Sequence, residues 1–336
     1  MKDKRPIDRK RESGGVADIG TEEDGAIVGT AKIGERLIII KERSLYEFLI
    51  ADNIDPKRTN IGLPNNIQKL IIDKGTESEM VSRTFLTAKN LLKPEYLNEN
   101  IDSAKALTLI LEILPELDIL EKEVTDYLET EQQVSEHYET NRDKPASYTV
   151  PSIGNVETRC KTIFQKADHI EQMLIEMIVL FYQNEGLKKQ SHFPNLQGIL
   201  LERYGKDDPF YKFVENTSGF MALVRNLRNA LDHRLDFVKV TDFELQSNSD
   251  IISPTIELTK YRDTKLERQS LSEFLPIVLE NIIFIIENTL AYICNNNART
   301  HIFTYSVREI PDSQRRNKYV KYSFWSPLGE GGFYHQ

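Results

Sequence analysis

Beyond residue 102, apolar residues recur mostly at three- and four-residue spacing, and the pattern is clearest from Phe220 to Leu235. At about 100° per residue, Leu223, Val224, Leu227, Ala230 and Leu231 fall on one side of a helix. Arg225, Arg228, Asn229, Asp232 and His233 gather on the other. A solvated helix face ordinarily carries Glu, Lys and Gln. This one carries two guanidiniums, a carboxamide, a carboxylate and an imidazole, groups able to handle a phosphate and a proton.

The same period predicts helices over residues 81–92, 102–140 (bent or broken near Pro115), 156–182, 195–203, 207–233 (with a weak point at Ser218–Gly219) and 270–293. Two-residue alternation predicts a strand in Gly34–Ile40, a β-hairpin from residues 237–245 and 255–261, and a second hairpin from 302–307 and 319–325. Ser44 is placed to cap a short helix at Leu45–Ile50, and Ile67–Ile72 fits a strand or a helix. The expected fold is therefore mainly α: a C-terminal helical bundle with an inserted β-hairpin, preceded by a small α+β module. In chain order we expect a disordered, basic and glycine-containing tail at 1–30 and an α+β module at 31–100. A helical connector and linker follow at 101–150. A helical domain then spans 151–296, with the hairpin inserted at 237–261, and the C-terminal hairpin and tail occupy 297–336, with a frayed end at Gly329–Gly332.

The 336 residues hold 43 basic and 52 acidic side chains, a net charge of -9. That balance opposes a general positive field for coating nucleic acid, so contact with RNA must be local. Cys160 and Cys294 stand far apart and suggest neither a disulfide framework nor a zinc site; no metal and no cofactor is expected. The longest apolar stretch, 271–293, is interrupted by Glu273, Glu280, Asn281, Glu287 and Asn288, which predicts a buried core helix rather than a bilayer span. The chain reads as cytoplasmic, with no membrane partner. It contains no P-loop, G-x-S-x-G elbow, H-E-x-x-H or dinucleotide fingerprint. His137, His169, His192, His301 and His335 have no partners at ligand or triad spacing.

Arg228-Asn229-Ala230-Leu231-Asp232-His233 is an Arg, a polar residue directly after it, and a His after three further positions. It resembles the R-x4-H signature of HEPN domains, helical bundles of many prokaryotic toxins and defence proteins, and the resemblance covers roughly residues 156–295. It implies metal-independent RNA cleavage, in which the 2′-hydroxyl attacks the adjacent phosphorus and leaves a cyclic phosphate. His233 would move the proton, Arg228 would hold the scissile phosphate, and Asn229 would orient one or the other. Arg225 and Asp232 are supporting positions that the motif itself does not include. On an ideal helix positions 228 and 233 lie about 140° apart, so their convergence needs Arg's reach, a distorted helix end or two chains. The resemblance implies the last, a homodimer with a composite cleft, and a role in antiviral defence or as a toxin.

Two other readings remain open. Arg and His near a helix C-terminus complement the macrodipole, and Asp232 can pair with either arginine, which describes a non-catalytic module that dimerises or binds nucleotide or RNA. Alternatively the N-terminal module is the effector and the bundle its oligomerising partner; in any of these readings residues 31–150 are open to a partner or regulator.

Overall fold

The computed structural model describes residues 4–13, 16–141, 149–183, 185–300, 304–329 and 331–336. Residues 142–148 of the expected linker, His301, and positions 302–303 of the expected C-terminal hairpin lie outside them.

The chain opens with α1 (Pro6–Glu12), followed by β1 (Ile27–Ile33), β2 (Arg36–Lys41), β3 (Leu45–Ile50), the one-turn α2 (Ala51–Ile54) and β4 (Asn66–Ile72). α3 (Glu79–Val81), a π-helical turn at Ser82–Leu86 and α4 (Thr87–Leu91) form one continuous run. The long helices come next: α5 (Ser103–Asn141), α6 (Val156–Val179), α7 (Phe193–Tyr204) and α8 (Pro209–Asp232). Five short strands follow, β5 (Val238–Thr241), β6 (Glu244–Leu245), β7 (Ile251–Ile252), β8 (Thr255–Tyr261) and β9 (Thr264–Ser270). The chain ends with α9 (Leu271–Asn296), β10 (Ser306–Glu309), β11 (Tyr322–Ser326) and β12 (Phe333–Tyr334).

With about 48% helix and 20% strand in four separate sheets among the described residues, the fold is α+β and not mainly α. Three stretches account for the difference. Leu45–Ile50 is a strand, not a capped helix, because the apolar run of β2 needs a second neighbour: Leu37 pairs with Phe48 and Ile39 with Tyr46. β4 then closes the meander β1-β2-β3-β4. Apart from Leu266, residues 264–270 are polar and carry no strand signal of their own. They are held by ladder bonds to β8 through a two-residue turn, Arg262-Asp263, whose residues both take the left-handed conformation of a type I′ hairpin. The region expected as a tail contains α1, which Arg58 ties down through Asp8 and Glu12, and β1 begins at Ile27.

Other corrections are local. Pro115 lies inside α5 without ending it, and α8 runs unbroken through Ser218–Gly219. At the glycine-rich end, Gly332 (φ +75°) lies so close to the Trp325 ring that a Cβ would sit 2.2 Å from it, and β12 follows.

The described residues group into two compact units, Met1–Leu114 with Ala298–Gln336, and Pro115–Asn297. In the second, Ile163, Phe164, Leu174 and Ile178 of α6, Phe193 and Leu196 of α7, Val214, Val224 and Leu227 of α8, and Ile286 and Leu290 of α9 are buried. α9 is long and apolar enough to cross a membrane by length and composition, and two thirds of its most apolar window (67%) is buried. Both cysteines are buried.

Candidate functional site

α8 starts on Asp208, whose carboxylate accepts the N–H groups of Phe210 and Tyr211, with Pro209 at the first helical position. It ends in a Schellman arrangement. The N–H of Leu235 reaches the carbonyl of Ala230 at 2.9 Å, that of Arg234 reaches Leu231 at 3.3 Å, and Arg234 takes a left-handed φ of +49° where glycine is usual. His233 is the cap residue, its N–H 3.1 Å from the carbonyl oxygen of Asn229, and its side chain is exposed. The chain turns sharply at Arg234, and Arg234 lines an open cleft of about 550 Å³ with Asn155, Glu157, Thr158 and Asp242.

α6 faces α8 with residues that the sequence reading missed. Arg228 Nη2 donates to Asp168 Oδ2 at 2.5 Å, while its Nη1 lies 3.7 Å from Asp232 Oδ2. One turn back, Arg225 Nη1 lies 3.6 Å from Glu171 Oε1, and Lys161 Nζ stands 3.1 Å from Asp232 Oδ1 at the other end. Partners rise along α6 as they fall along α8, so the two helices pack antiparallel and the contacts form a ladder of charges. Asp168 and Glu171 side chains are 0% exposed, against 25% for Arg228 and 18% for Arg225.

Burying two carboxylates is unfavourable unless cations and donors answer them. Asp168 Oδ2 also accepts from Gln172 Nε2 at 2.7 Å, but Asp168 Oδ1, both oxygens of Glu171 and Arg228 Nε are buried without hydrogen-bond partners. His192, expected to be without a partner, has Nδ1 3.5 Å from Glu171 Oε1. The signal for the acid pair was present in the sequence. Asp168 and Glu171 stand three apart in phase with buried Phe164 and Ile175, where an apolar side chain is the rule.

The predicted site residues are thus divided. Arg225, Arg228 and Asp232 belong to the ladder. Asn229 is half-buried and His233 exposed at the helix end, and among the described residues no hydrogen bond or ion pair joins His233 to Arg228 or Asp232. Three cations, Lys161, Arg225 and Arg228, meet three acids, Asp168, Glu171 and Asp232, so the ladder is electrically balanced. Among the described residues no three His, Cys, Asp or Glu side chains gather as metal ligands would.

No family model, curated protein or solved structure matches this chain.

Proposed function

We propose that the second unit is a HEPN-like, metal-independent endoribonuclease site, acting in a homodimer. The observation that carries this reading is the asymmetric hold on Arg228: a buried carboxylate grips Nη2 from below, while Nη1 turns towards a loose contact with Asp232 at the exposed helix end. A guanidinium oriented in this way keeps donors for a phosphate that displaces Asp232, and the paired N–H groups offset charge developing on its oxygens. His233, exposed one turn beyond, supplies the imidazole that takes or returns the proton of the 2′-hydroxyl. Asn229 lies four residues before His233, on its side of the helix, and orients it or the phosphate. Arg228 and His233 leave α8 in different directions, which favours two chains contributing to one cleft. Use in antiviral defence or as a toxin rests on the resemblance of the motif alone.

The test is cleavage of a mixed RNA pool in EDTA. His233→Ala and Arg228→Ala are each expected to lower the rate by about 10²-fold or more. Mixing the two inactive variants restores cleavage when the cleft is shared between subunits, and leaves it absent when each chain holds a whole site. An intact RNA pool with the wild-type protein, or variants that cut as fast, would refute the reading.

The electrical balance of the ladder favours a second reading, a helical module that dimerises or binds nucleotide or RNA without cutting it. Retained RNA binding with no EDTA-resistant cleavage would select it.

A further inference from the structure

The first unit gathers three cations, Lys89, Lys93 and Arg316, against one nearby acid, Glu95. Lys89 stands on α4, and Lys93 follows four residues later, just past the helix end at Leu92. Lys93 Nζ donates to the carbonyl oxygen of His335 at 2.8 Å. Arg316 Nη1 donates to that of the next residue, Gln336, at 3.1 Å. Two cations therefore close on the backbone oxygens of adjacent residues. Burial holds Lys89 below the usual lysine range. Burial does the same to Lys93; Glu95 opposes the shift, and the like charges of Lys89 and Arg316 add to it.

Lys89 makes no hydrogen bond or ion pair with any described residue. Like charges brought together in a partly desolvated setting repel, and here three cations outnumber the one nearby acid, Glu95. A bound anion would relieve that repulsion. Beside it lies a ring surface. His335 packs against Tyr96, Tyr305 and Phe333 at 4.9, 5.6 and 4.9 Å between centroids, and Phe333 is 55% exposed. Cations that track a backbone next to rings that stack on bases are the elements from which single-strand sites are made.

We propose that Lys89, Lys93 and Arg316 form a binding site for the phosphate groups of single-stranded nucleic acid, with Phe333 as a ring on which a base stacks. The chain's net charge of -9 confines such binding to this local cluster. The site requires no chemical step. Its test uses a strand without a free 2′-hydroxyl, so the ribonuclease reading can fail while this one stands.

The experiment is fluorescence anisotropy of the full chain with a labelled 2′-O-methyl oligouridylate of about 15 nucleotides, titrated over a range of salt concentrations. Wild-type protein is expected to bind with an affinity that falls as salt rises. Lys89→Met with Lys93→Met keeps the aliphatic stems and is expected to weaken binding about tenfold or more and to reduce the log–log salt slope by about 1.4. Arg316→Gln is expected to reduce the slope by about 0.7, and Lys212→Met, in the second unit, to change nothing. Arg316 is exposed, so its variant keeps the test open should the lysine pair prove necessary for folding. Absence of wild-type binding, or variants with wild-type affinity and slope, would overturn the proposal. Displacement of the strand by ATP, with an affinity that does not depend on strand length, would overturn it in favour of a free nucleotide.

Discussion

A carboxylate shut away from water must draw its stability from its partners, and Asp168 has two, Arg228 and Gln172. Replacing it with Ala leaves a guanidinium facing an apolar gap. Removing one partner of a fully buried pair costs about 3–5 kcal/mol. Arg228 is a quarter exposed and keeps Asp232 nearby, so screening lowers the expected loss for Asp168→Ala to about 2–3 kcal/mol. Asp232→Asn, which removes a looser and more exposed contact, should cost less than about 1 kcal/mol. Hydrogen exchange of α6 amides measures both. A loss for Asp168→Ala no larger than that for Asp232→Asn would mean that the buried pair does not hold the two helices in place. The pair also marks a limit of reading residues singly. Arg225, Arg228 and His233 were identifiable by type and spacing on one helix. The two acids that α6 sets against the arginines, Asp168 and Glu171, left only a faint trace, because a charged residue in phase with Phe164 and Ile175 reads as a break in an apolar stripe until α8 is seen to supply the counter-charge.

At the scale of elements, Asp242 is the clamp on the start of α6. Its carboxylate accepts from the hydroxyl of Ser152 at 2.6 Å and from the N–H groups of Ile153, Gly154 and Phe243, joining the chain before α6 to the turn between β5 and β6. Burial alone would raise its pKa, but these donors outweigh burial and hold it below the ordinary 3.8. The sign follows from linkage. A depressed folded pKa contributes stability that is present above the unfolded value and is lost as pH falls through the folded one. Asp242→Asn, with one acceptor oxygen, should cost about 1–2 kcal/mol near neutral pH. The gap from wild type should close as pH drops below about 4. Urea denaturation at neutral pH and near pH 3 measures this, and a gap that is constant across that range would refute the clamp. Elements like α6, α8 and α9 were legible because burial imposes a 3.6-residue period over many turns. β1, β3 and β9 were not: Thr264–Ser270 is polar apart from Leu266 and is made a strand by its neighbour, and Leu45–Ile50 suits a helix until β2 requires a partner.

The whole molecule closes its first unit with residues from both ends of the chain, and the entire second unit lies between them in sequence. Residues 304–336 contribute specific parts to that closure. Asn90 Nδ2 donates to the carbonyl of Tyr322, Asn317 Nδ2 donates to the carbonyl of Thr76 and to Ser82 Oγ, and fully buried Phe324 packs its ring 5.0 Å from that of Tyr96. Removing them exposes Phe324's site and leaves the side-chain amide of Asn90 and the carbonyl of Thr76 without these partners, while every rung of the charge ladder stays in place, since it lies between Lys161 and Asp232. Stability is distributed in cooperative units of this kind rather than evenly along a chain. Deletion of residues 304–336 should therefore abolish hydrogen-exchange protection in the α3–α4 run and leave α6, α8 and α9 as slow as in the full chain. Equal loss in both units would show that the two fold as one cooperative body, and the charge ladder would then owe its geometry to the chain's far end as well as to α6 and α8.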